Sequence, residues 1–138
     1  MRGFLIALFL ALPGIVHSQQ SGNLTEAAEH ARRAWFAHDA VRLVAGSPRL
    51  LVQLPGADPS AALGPAQAAA LIGNFLASAQ EVQTVLRAAR EVGSDRGYVE
   101  LQRRYRVAGT QDIRVESLLL GYRRGRSGWL LVELRVVG

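Results

Sequence analysis

The stretch that decides the fold is Glu81–Gly138, EVQTVLRAAREVGSDRGYVELQRRYRVAGTQDIRVESLLLGYRRGRSGWLLVELRVVG. Apolar and polar residues alternate through it in four runs, roughly Val82–Val92, Tyr98–Val107, Ile113–Arg123 and Trp129–Val137. Alternation with period two, rich in Val, Leu and Tyr, reads as strand. The runs are separated by Gly93-Ser94-Asp95-Arg96-Gly97, Gly109-Thr110-Gln111-Asp112 and Gly125-Arg126-Ser127-Gly128. Connections this short, each with glycine, join sequential strands as antiparallel hairpins. The segment is therefore expected to be a four-stranded meander.

The alternation also assigns faces. In the second run Val99, Leu101, Arg103, Tyr105 and Val107 share one side, and Glu100, Gln102, Arg104 and Arg106 the other. In the third, Ile113, Val115, Ser117 and Leu119 are expected inside, against Arg114 and Glu116, although Leu118 and Leu120 blur the pattern. Leu130-Leu131-Val132 is apolar on both sides, as in a central strand. On the wet face Glu100, Glu116 and Glu133 are expected to pair with Arg104, Arg114 and Arg135. That reading leaves no pair of inward carboxylates.

Upstream, Asn23 and Glu26 have capping-box spacing, and Leu24, Ala28, Ala31, Trp35 and His38 recur as a helical stripe, with Glu29 and Arg33 at i,i+4 on the wet side. Asp39 is placed to cap a short second helix over Ala40–Ala45, stopped by Gly46-Ser47-Pro48. Arg49–Leu54 reads as a first strand with Leu50, Val52 and Leu54 on one face, and Pro55–Gly64 as a turn-rich loop. A third helix opens at Gly64-Pro65 and carries Ala68, Leu71, Ile72, Phe75, Leu76 and Ala79 on its apolar stripe. The class is α+β, in the order α-α-β-α-β-β-β-β, as one domain over residues 19–138.

Residues 1–18 read as a secretory signal peptide: Met1-Arg2 is basic, Gly3–Val16 carries no charge, and Val16-His17-Ser18 suits the peptidase. The protein is expected to be exported, periplasmic or secreted, with no membrane span after cleavage. There is no cysteine, so no disulfide stabilises the exported domain. All 16 basic residues are arginine, against 11 acidic ones. Losing Arg2 with the signal leaves an excess of four positive charges. Export argues against nucleic acid as a partner and leaves anionic lipid or acidic polymers as counterparts.

Few residues carry chemistry. His38 beside Asp39 is a weak catalytic candidate, a general base near a helix end; in the structural alternative Asp39 only caps a helix. Arg103 falls on the apolar side of its strand, where an unpartnered guanidinium is costly. It either lines a cavity and holds an anionic ligand group, with Tyr105 and Ser117 as neutral neighbours, or a β-bulge or its long stem returns it to water. Trp35, Phe75, Leu101 and Tyr105 would wall such a cavity. His30 and His38 stand too far apart on a helix to share an ion, and no metal or cofactor is expected. Seryl and thiol nucleophile motifs are missing.

The element order resembles the nuclear-transport-factor-2-like superfamily, the cystatin-like cone fold. Trp35-Phe36-Ala37-His38-Asp39-Ala40 resembles its first-helix junction. Leu54-Pro55-Gly56, Gly64 with Gln67-Ala68, Ile72 with Phe75, Gly128-Trp129-Leu130 and Leu134-Arg135 are similar to a small exported bacterial subgroup of unknown function. The resemblance implies a curved sheet around the first helix, with a cavity at the open end of the cone, and no particular activity. The expected role is a non-enzymatic domain that binds a small amphipathic ligand in the cone or a protein partner through the sheet. An isomerase- or hydrolase-like enzyme and a dimerising structural module are the alternatives.

Overall fold

The computed structural model describes residues 24–138; the signal peptide read over residues 1–18 and the Asn23 cap lie outside the described residues. Helix α1 covers residues 24–36 and buries Leu24, Ala28, Ala31, Ala34 and Trp35. Three alanines in that stripe let its backbone lie close to the sheet. On its wet side Glu29 takes both bonds from Arg32, each at 2.7 Å, while Arg33 stands at 3.6 Å. Arg32 also donates to the Thr84 carbonyl at 3.3 Å, tying the helix to a strand.

The end of α1 is a Schellman turn. His38 N–H donates to the Trp35 carbonyl and Asp39 N–H to the Ala34 carbonyl, both at 2.9 Å. His38 occupies the left-handed position of that turn at φ 57, where glycine is usual. Asp39 then caps α2 (Ala40–Leu43), its carboxylate accepting from Arg42 N–H at 3.0 Å. Helix α3 (Pro65–Leu76) starts from Gly64 and buries Ala68, Ala69, Ile72 and Leu76.

The strands are β1 (Leu51–Gln53), β2 (Ala79–Val92), β3 (Arg96–Val107), β4 (Ile113–Gly125) and β5 (Gly128–Val137), in the spatial order β1-β5-β4-β3-β2. The meander β2–β5 is antiparallel, as its turns require. β1 runs parallel to β5, so the sheet is mixed rather than wholly antiparallel. Parallel neighbours need a long crossover, which α3 and the meander supply. Val82 and Arg87 in β2 and Val132 in β5 are bulge residues skipped by the ladder.

Both long helices cover one face of the sheet. Trp35, Ile72 and Leu76 meet Leu101, Leu118, Leu120, Leu134 and Val136 there. Gly97 of β3 lies directly under α1, since a Cβ there would stand 2.9 Å from Leu24 Cδ1. The phase read for β4 is reversed. Glu116, Leu118 and Leu120 point inward, and Val115, Ser117 and Leu119 point outward. Either set of β4 residues offers apolar side chains, so pattern alone did not discriminate. The register does, because it sets Leu101 opposite Leu118 and Val99 opposite Leu120.

Tyr122, on β4, is buried against α1 with its hydroxyl 3.5 Å from the Ala27 carbonyl. Burial pushes its phenol well above the usual value of 10.0. The neutral form is favoured in the folded state, so this contribution is complete below pH about 10 and is lost as the unfolded chain ionises above it. Stability is expected to fall above that pH, and Tyr122→Phe to flatten the fall. Urea unfolding of both proteins between pH 8 and 11 reads this, and parallel curves would remove Tyr122 as the cause.

Candidate functional site: a closed charge cluster and an open sheet face

Arg103 points into the core, 1% exposed. It meets carboxylates from both neighbouring strands. Glu81 of β2 takes Arg103 Nη2 on one oxygen and Arg103 Nε at 3.2 Å on the other. Glu116 of β4 accepts from Arg103 Nη1 at 3.1 Å. All three guanidinium nitrogens are thus engaged, with the Glu81 and Glu116 side chains only 2% and 11% exposed. The guanidinium carbon lies 3.9 Å from the Tyr105 ring centroid, 5.2 Å from Trp35 and 5.5 Å from Phe75. Aromatic faces are favourable seats for a desolvated cation.

The strand ladder builds this cluster. Arg103 is opposite Thr84 on β2 and Glu116 on β4, and Glu81 is opposite Tyr105. Because Val82 is skipped, Glu81 and Thr84 share a face despite standing three residues apart. His38 completes the group, its Nε2 3.2 Å from Glu81 Oε1 and its side chain 28% exposed. Burial first, and the Glu116 carboxylate second, push the Tyr105 phenol above its usual value.

The sequence-derived candidates divide accordingly. Trp35, Phe75, Leu101, Arg103 and Tyr105 come together in or around the core. Ser117 does not: it pairs with Gln102 on the outer face, because the β4 phase is reversed. The proposed His38–Asp39 pair is also not formed, since the Schellman turn aims His38 at Glu81 while Asp39 serves α2. Two inward carboxylates exist where none was read. Glu116 belongs to Arg103 rather than to Arg114, whose contact is Asp112 at 3.8 Å. The guanidinium expected to hold an anionic ligand is engaged by the protein's own acids.

The opposite side of the sheet is open. A groove of about 610 Å³ crosses β2 to β5, lined by Ala88, Arg90, Tyr98, Glu100, Leu119, Gly121, Glu133 and Arg135 among others. Tyr98, Val115 and Leu119 are 47%, 48% and 38% exposed, and Ile113 and Val137 on the same face are similarly uncovered. Of the three acid–arginine pairs expected here, only Glu133 with Arg135, two residues apart on β5, is present among the described residues, at 2.5 Å.

Comparison with known proteins places the architecture. No family model matches the chain, and no curated protein matches its sequence. Solved structures do. A ketosteroid isomerase-like protein from Erwinia carotovora atroseptica superposes with a TM-score of 0.67 at 14% identity, covering 83% of this chain and 92% of its own. A domain of unknown function with a cystatin-like fold from Nostoc punctiforme gives 0.66 at 14%, covering 88% and 76%. A protein of the nuclear-transport-factor-2-like family from Streptomyces avermitilis gives 0.65 at 15%, covering 86% and 95%. The chain has the cone-shaped nuclear-transport-factor-2-like fold. At these identities the likeness concerns the fold alone.

Proposed function

We propose that this chain is an exported, non-catalytic binding module that engages a macromolecular partner through the outer face of its sheet. One contrast carries the reading. The charged groups inside the cone, Arg103, Glu81, Glu116 and His38, are closed on one another, whereas the groove and most of the exposed large apolar side chains lie on the other side. Contiguous exposed apolar surface on a soluble domain marks an interaction site. An enzyme reading would rest on His38 and Glu81, but the groove lies across the sheet from them. Small-ligand binding in the cone would require prising Arg103 from two carboxylates.

A photo-crosslinking residue placed at Leu119, compared with one at exposed Val41 on the helical side, tests this in the producing cells. A discrete adduct from position 119 that disappears with Tyr98→Asp is the expected result. Equal labelling from both positions, or none from 119, would overturn it. The intact mass of the same preparation reads whether residues 1–18 have been removed.

A further inference from the structure

The outer face is strongly basic as well as apolar. Ladder register puts six arginines on it, Arg90 on β2, Arg96, Arg104 and Arg106 on β3, Arg123 on β4 and Arg135 on β5, against Glu100 and Glu133. Among the described residues only Arg135 of these six has an ion pair. The excess of four positive charges on this face equals the excess expected for the whole processed chain. Arg96 and Arg123 stand directly opposite each other across β3 and β4, and Arg90 on β2 lies opposite Tyr98, diagonal to Arg96. Like charges in facing positions destabilise a sheet. Resting on the reading of this face as the partner surface, we infer that the partner is an acidic segment of another protein, an extended stretch whose carboxylates meet the arginines while apolar residues settle on Tyr98 and Leu119.

Charge selects among occupants. A second copy would bring one basic face against another. A bilayer presents a uniformly anionic plane, which would oppose Glu100 and Glu133 inside the groove. A peptide can set a neutral side chain or a backbone N–H against those two acids and keep its carboxylates for the rim.

The test uses the purified protein and a fluorescent peptide of alternating glutamate and leucine, read by anisotropy. An alternating lysine–leucine peptide, phosphatidylglycerol vesicles and the protein's own oligomeric state are the comparisons. The glutamate peptide is expected to bind, and to weaken severalfold as salt rises from about 50 to 500 mM. Arg90→Ser/Arg96→Ser/Arg123→Ser should weaken it roughly tenfold. Arg33→Ser/Arg42→Ser/Arg49→Ser, the same charge change on the other side, should leave it unaltered. Equal losses from both triple variants would overturn the inference, as would tighter binding of vesicles or of the lysine peptide. Self-association through the same arginines would overturn it too. Binding that ignores salt and arginines yet is lost with Leu119→Asp would sink the acidic partner and spare the surface. Binding indifferent to every outer-face variant would sink both.

Discussion

Arg103→Met is expected to lower stability by about 3–5 kcal/mol, the cost of leaving a buried charge without its partner. Two carboxylates depend on this guanidinium, and both are nearly out of water. A domain of this kind has about 5–15 kcal/mol in total, so the variant should lose a large share of its stability and unfold at a markedly lower temperature. The argument concerns imbalance and not the intrinsic worth of the ion pairs. Desolvating three charges offsets most of their attraction, and buried triads replaced whole by apolar groups are often no less stable. Adding Glu81→Gln and Glu116→Gln to Arg103→Met should therefore restore a substantial part of the loss. Arg103→Lys should fall between, because one ammonium cannot serve both carboxylates with the geometry of a planar fork. Urea unfolding of the series reads all of these. A loss under about 1 kcal/mol for Arg103→Met, within what an ordinary surface change gives, would mean that the cluster does not hold the sheet together.

Trp35→Ala should cost about 3–5 kcal/mol by a different route, the cavity left by a large side chain. Trp35 is fully buried, tilted at 50° to Phe75 with ring centroids 6.3 Å apart, and its face lies towards Arg103. Trp35→Phe keeps an aromatic face and removes an indole N–H that is buried without an acceptor. It should therefore cost much less, about 1–2 kcal/mol. If the ring helps seat the guanidinium, Trp35→Ala and Arg103→Met will be non-additive by about 0.5–3 kcal/mol. Strict additivity would reduce Trp35 to packing alone.

Much of this was legible in the chain. The helices and the meander follow from periodicity and turn chemistry; the same counting put Arg103 on the apolar side of its strand but left open whether a bulge or its long stem returned it to water. The acids around Arg103 were hidden for separate reasons. Glu116 was assigned to the wet face because Val115, Ser117 and Leu119 competed with Leu118 and Leu120 for the core. The short Gly109–Asp112 turn contained the answer, since its geometry sets Arg106 opposite Ile113, and counting back sets Arg103 opposite Glu116. Glu81 was beyond such counting. The skipped Val82 changes its face, and bulges have no reliable mark in a single sequence. His38 was misjudged because helical spacing was extended through a residue that is already left-handed. The expected pairing of Glu100 with Arg104 and of Glu116 with Arg114 on the wet face is not met, and only the three-dimensional contacts could show it.

The two margins of the sheet bear on how copies of this chain are kept from pairing edge to edge. β1, on one margin, is only three residues long. β2, on the other, is fourteen residues long and skips Val82 and Arg87. A short strand offers little template, and an interrupted one carrying a charge at its kink cannot be extended in register by a neighbour. Both margins thus work against the addition of strand to strand between copies of this chain.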